Sequence, residues 1–103
     1  MKLYISGPMT GLPNFNFPAF NAAAAVVRSM GHEAVNPVDI NPDSNTPWEV
    51  CLRADIKALC DCDGIVLIHG WEHSKGAHLE LQVAHRLGLK VLLFEHMQSS
   101  VPS

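Results

Sequence analysis

"DGIVLIHGWEHSKGAHLELQVAHRLGLKVLLFE", residues 63–95, decides the fold. Residues 64–68 form an unbroken apolar run, "WEHS" at 71–74 is a short polar loop, residues 75–88 repeat with a helical period, and "KVLLFE" at 90–95 is apolar again. An apolar run without polar alternation reads as a strand covered on both faces, and two such strands joined through a helix run parallel. The unit is strand, helix, strand.

Working outward, the same grammar repeats. "KLYIS" (2–6) is a short strand ended by Gly7 and Pro8. "FPAFNAAAAVVRSMG" (17–31) is a helix with Phe17, Phe20, Ala24 and Val27 on one side and Gly31 as its stop. "HEAVNP" supplies a second short strand, and "VDINPDSNTP" (38–47) is a loop of turn formers in which Thr46 caps and Pro47 opens a helix from Trp48 to about Asp61. The order is βαβαβαβ. Right-handed crossovers then give an α/β domain, a small Rossmann-like (flavodoxin-like) three-layer sandwich around a parallel sheet of about four strands in the order 2-1-3-4. The domain is expected over residues 1–94, with 95–103 as a C-terminal tail. Ligands of such sheets bind beyond the carboxyl ends of the strands where the order reverses, which singles out the loops at 7–16 and 69–75.

Composition narrows the function classes. With 48% hydrophobic and 17% charged residues the chain is an ordinary globular protein rather than a disordered one. A net charge of −3 gives no basic footprint for nucleic acid or an anionic membrane. The apolar stretch before Gly7 is too short for a secretory signal, no run is long enough for a membrane helix, and a cytoplasmic protein is expected. Cys51, Cys60 and Cys62 form no disulfide framework, and Cys51 and Cys62 read as small hydrophobes on a helical face. A core limited by 103 residues favours self-association, as a homodimer or higher homo-oligomer.

Two carboxylates break the helical pattern. Advancing about 100° per residue from Glu80 places Gly76, Ala77, Val83, Ala84 and Leu87 within about 60° of it, with Lys75, His78, Gln82 and Arg86 opposite. Asp55 repeats the anomaly on the preceding helix, centred among Trp48, Cys51, Leu52, Ala58, Leu59 and Cys62. An ionised carboxylate withdrawn from water without partners costs several kcal/mol, so each needs a reason. Asp55 capping a neighbouring loop is one such reason and Glu80 pairing with a buried arginine another, but of the three arginines Arg53 and Arg86 lie on polar faces and only Arg28 is left. A shared site is the economical alternative. Paired carboxylates suit retaining glycosyl transfer, in which one attacks the anomeric carbon and the other handles the proton of the leaving group.

The surrounding loops fit such a site. In "SGPMTG" (6–11), Gly7 and Gly11 allow backbone amides to approach an oxygen-rich ligand, although the loop is neither a Walker A nor a dinucleotide fingerprint. Ser74 is either the N-cap of the helix it precedes or, with Lys75, part of an anion site. Gly76, Ala77 and Ala84 either leave room for a sugar ring or allow close helix-to-sheet packing. Trp71 either stacks on a base or anchors its loop. His69 and His73 flank it on a loop without a third ligand, and neither metal nor redox cofactor is called for.

"YISGP", "ADIKALCDCDGIVLI" and "SKGAHLE" together resemble the nucleoside 2-deoxyribosyltransferase superfamily, which includes the 2'-deoxynucleoside 5'-monophosphate N-glycosidases. The resemblance spans roughly residues 2–94, and the "YISGPMTG" opening is similar to that of a short branch frequent in phage and prophage genomes. It implies that Glu80 is the nucleophile that carries the sugar as a glycosyl ester, that Asp55 assists proton transfer at the base, and that Tyr4 orients Glu80. Substrate contacts are expected around them at Ser6, Gly7, Pro8, Thr10, Gly11, Trp71, Ser74 and Gly76; of these the resemblance itself carries Gly7, at the equivalent glycine turn, and Ser74, which matches a phosphate-contacting serine. Thr10 stands where the monophosphate hydrolases often carry an arginine, and the C-terminus is shorter than that of the transferases, which complete their sites there, often from a neighbouring subunit. The implied ligand is a small nucleoside or nucleotide, and the alternative is a non-catalytic nucleotide-binding module of the same fold.

Overall fold

In the computed structural model, which describes residues 1–43 and 45–99, four strands form one parallel sheet. They are β1 (Lys2–Ser6), β2 (Glu33–Val35), β3 (Gly64–Leu67) and β4 (Lys90–Leu93), in the expected order β2-β1-β3-β4. The helices are α1 (Phe17–Ser29), α2 (Pro37–Ile40), α3 (Trp48–Cys60), α4 (Lys75–Arg86) and α5 (Phe94–Ser99). None is long and apolar enough to cross a membrane.

Alternation along β1 sorts the core into two layers. Leu3 and Ile5 pack with Val66 and Ile68 against Phe20, Ala23, Ala24 and Val27 of α1. Tyr4 faces the other way, where Ile65 and Leu67 meet Leu59 of α3 and Ala84 of α4. Each fully buried aliphatic in these layers contributes roughly 1.5–3 kcal/mol relative to exposure. The pairing of Tyr4 with Val35 on one side and Ile65 on the other puts β1 at the centre of the sheet. Its C-terminal end, at Ser6, opens where the strand order reverses.

The segment read as a strand through Glu95 stops at Leu93 and passes directly into α5. Phe94 and Met97 lie three residues apart, on one helical face, and both pack on the α1 side of the sheet, so burial favours a helix there. Residues 95–99 of the expected tail are therefore helical, and 100–103 lie outside the described residues. The loop after β2 also holds a turn of helix, α2, because the Asn36 side chain accepts the Val38 N–H at 3.1 Å and Pro37 supplies the first helical residue.

Thr46 is not the cap of α3. Pro47, extended at φ −55° and ψ 143°, occupies that position, and its carbonyl accepts the N–H groups of Val50 and Cys51. Ser74, in contrast, does cap α4, its Oγ accepting the Ala77 N–H at 3.1 Å. Leu87, counted with the apolar face of α4, is 54% exposed because the helix ends at Arg86 and Leu87 lies beyond its last turn. In the loop after β1, Asn14, Phe15 and Asn16 are all left-handed, with φ between 52° and 62°. The Asn16 side chain helps to hold this turn by donating to the Pro8 carbonyl at 2.9 Å.

Candidate active site

Glu80 is only 6% exposed, although it occupies the middle of α4. Its neighbours explain how the fold tolerates it. The Tyr4 hydroxyl donates to Glu80 Oε2 at 2.6 Å and the Ser6 hydroxyl donates to Oε1 at 2.6 Å. Tyr4 and Ser6 stand two residues apart on β1, hence on one face of the sheet, and each takes one oxygen of the carboxylate. Among the described residues no arginine or lysine is involved, so the carboxylate is held by hydroxyl donors rather than neutralised by a cation.

Burial raises the Glu80 carboxyl to about 7, against the pull of the Ser6 and Tyr4 hydrogen bonds and with the charge of Asp55 adding to the rise. Asp55, half-buried on α3, is raised to about 6, again mainly by desolvation; donation from Asn41 holds it down, as does the nearness of the Tyr4 hydroxyl, whose proton goes to Glu80. The Tyr4 phenol is itself pushed well above its ordinary value by burial and by the two carboxylates. Three acidic groups on three elements thus influence one another across a single cleft.

That cleft has a volume of about 170 Å³ and brings together Tyr4, Asp55 and Glu80 with Gly7, Thr10, Ser74 and Gly76. Its apolar wall is aromatic: Phe15, Phe17 and Phe20 come from the first loop and α1, and Trp48 from the start of α3. Among its described lining residues there is no Lys, Arg or His.

The remaining candidates fall elsewhere. Ser6 is buried beneath the cleft as a ligand of Glu80 rather than of its contents. Pro8 and Gly11 are not in the described lining; Pro8 packs against Gly70, and Gly11 has a φ of +82°, a turn requirement. Gly7 does line the cleft, but its need for glycine comes from Ile68, whose Cγ1 would collide with any added Cβ. Of the two readings of Trp71, base contact or loop anchor, its placement favours the anchor. It packs against the α3 and α4 side of the core, with its ring centroid 5.3 Å from that of His78, and lies outside the described lining.

Sequence reasoning missed Asn41 and gave Trp48 no role beyond the helix face. Asn41 Nδ2 donates to Asp55 Oδ1 at 3.1 Å, a contact between a loop and a helix that no periodicity announces. Trp48 was signalled faintly: it belongs to the apolar stripe of α3, yet it is 52% exposed where that stripe runs past the sheet onto the cleft.

A family model described as a domain of unknown function, DUF4406, matches residues 1–93. The chain belongs to this family. No curated protein matches this DUF4406 chain by sequence. Its fold is similar to that of 2-deoxyribosyltransferase from Bacillus psychrosaccharolyticus, with a TM-score of 0.71 at 22% identity over 90% of this chain and 71% of that one. It is also similar to the 2-deoxyribosyltransferase of Leishmania mexicana, with a TM-score of 0.69 at 24% identity over 89% of this chain and 62% of that one. The DUF4406 domain thus has the fold of these deoxyribosyltransferases and spans about two thirds of their length.

Proposed function

We propose that this DUF4406 protein cleaves the N-glycosidic bond of a (deoxy)nucleoside or its 5'-monophosphate, releasing or exchanging the base through a covalent glycosyl-glutamate. The observation that carries the reading is Glu80 itself, buried, fixed by two hydroxyl donors and facing the cleft it shares with Asp55. Ionised Glu80 attacks C1', forming the ester C–O bond as the C1'–N bond breaks. The proton that the departing base requires comes from Asp55 in its acid form. Water or a second base, deprotonated by the Asp55 carboxylate, then attacks C1' and frees Glu80.

Tyr4 and Ser6 keep the carboxylate in one rotamer, and the aromatic wall offers a stacking surface to a base. The fold shared with the two deoxyribosyltransferases supports the sugar as ligand. A lining of carboxylates without a cation favours the nucleoside over its monophosphate. Trp48 and Val50, both about half exposed at the start of α3, leave an apolar rim beside the cleft for a second copy in a homo-oligomer.

The test is base release, followed by chromatography, from a panel of nucleosides and 5'-monophosphates with and without an acceptor base. Release by the wild type and none by Glu80→Gln is expected. Silence across the panel, with nucleoside binding still measured by calorimetry, would replace this reading with the non-catalytic binding module.

A further inference from the structure

Asp55 faces Tyr4 from β1, Glu80 from α4 and Cys51 one turn earlier on α3, and every one of these groups is acidic or neutral. Asn41, just after α2, is different in kind. Its Nδ2 is a pure donor, and it approaches one oxygen of Asp55, Oδ1, at 3.1 Å. An oxygen that already accepts this N–H can carry the acid proton only by turning that proton away and weakening the contact. Among the described residues, no amide donor faces the other oxygen, Oδ2.

We propose that Asn41 is a positioning residue for the chemistry outlined above: by donating to Oδ1 it confines the transferable proton of Asp55 to Oδ2. The inference rests on that reading for its purpose, but not for its geometry. A carboxylic acid free to protonate either oxygen divides its population between two orientations, and only one presents the proton to a given leaving nitrogen. The Asn41 contact removes that choice. It also favours the ionised form between turnovers, which is the form needed to deprotonate the second acceptor. A contact that only tied the α2 loop to α3 would still lower the Asp55 titration, but it would leave kcat unchanged when it is lost.

Three variants separate these roles. Asn41→Leu keeps the approximate shape and removes the donor without adding a charge, Asn41→Ala removes both shape and donor, and Asn41→Gln restores a donor one methylene further out. Two readouts apply to each: the titration of the Asp55 carboxyl carbon by NMR, and the pH profile of kcat and KM for base release. In Asn41→Leu and Asn41→Ala, Asp55 is expected to titrate at higher pH, and kcat to fall by about tenfold or more with KM within about threefold. Asn41→Gln recovers part of both. An Asp55 titration unchanged in either folded variant, or a loss confined to KM, overturns the proposal. If the wild type releases no base from any substrate, the glycosidase reading fails, and the titration alone then decides whether Asn41 controls Asp55.

Discussion

Tyr4 and Glu80 are separated by 76 residues in sequence and by 2.6 Å across one hydrogen bond, between the second core position of β1 and the middle of α4. That bond joins the central strand to the helix that packs on it, and it is buried. Removing its donor should therefore affect chemistry and stability together. Tyr4→Phe keeps the ring that fills the core but leaves Glu80 Oε2 without its hydroxyl. The expected result is a loss of about 1–3 kcal/mol of stability by denaturant titration and a fall in kcat of about tenfold or more. Because the Tyr4 bond holds Glu80 down, its loss also moves the Glu80 titration upward. A Tyr4→Phe protein with wild-type activity at every pH would remove Tyr4 from the site.

The two carboxyls make the rate depend on pH in a specific way. Base release needs Glu80 ionised and Asp55 protonated, and the pair is poised at about 7 and about 6 respectively. The acid form therefore belongs to the group with the lower value, and the productive state is a minority at every pH. The profile of kcat/KM should be a narrow bell with limbs near about 6 and about 7, titrating as a pair. Stopped assays from pH 4 to 9 check it, and a flat plateau across neutrality would contradict the assignment.

Stability should move with the same proton. Folding raises Glu80 from 4.5 to about 7, so its contribution is fully present below the lower value and is lost as pH rises through the upper one. The full difference corresponds to roughly 3 kcal/mol, with the Ser6 and Tyr4 bonds already counted in the raised value. Glu80→Gln cannot ionise. It should be more stable than the wild type by about 1–3 kcal/mol at pH 8 and show little or no advantage at pH 5, measured as Tm against pH. An equal gain at both pH values would mean that the charge is not its source.

The two tryptophans should separate cleanly. Trp48→Ala, at an exposed position on the cleft, is expected to weaken nucleoside binding by about tenfold with little change in Tm. Trp71→Ala removes a core contact beside α4, and should lower stability by about 1–3 kcal/mol while leaving KM within about threefold. Calorimetric binding and thermal melts of the pair check both statements, and the reverse pattern would restore Trp71 to the base.

The fold was legible because its strands are short, apolar and separated by helices of clear period. Strand order was expected from the alternation of strands and helices with right-handed crossovers, and the sheet has that order. Glu80 and Asp55 stood out for a related reason: a carboxylate on an apolar stripe is an energetic contradiction visible in one dimension. Asn41 offered no such contradiction, since an amide in a polar loop is unremarkable until the loop meets α3. Trp71 and Trp48 were equally unresolved by pattern, because burial of an aromatic depends on which elements reach it. Thr46 and Pro47 competed for one cap position, and proline won by fixing its own φ. The α5 helix was hidden because "VLLFE" has the composition of a strand, and only the sheet's edge and the contacts of Phe94 and Met97 end it.

Alternation along β1 places Leu3 and Ile5 on one face, and Tyr4 and Ser6 on the other. A slip of one position in the pairing of β1 would press two hydroxyls into the aliphatic layer beneath α1. The same slip would leave Glu80 opposite branched hydrocarbon, without a donor. No intermediate register satisfies either layer, so correct strand pairing and polarity at Glu80 are a single constraint. An insertion or deletion of one residue within β1 therefore cannot spare the fold while altering the site, or spare the site while altering the fold.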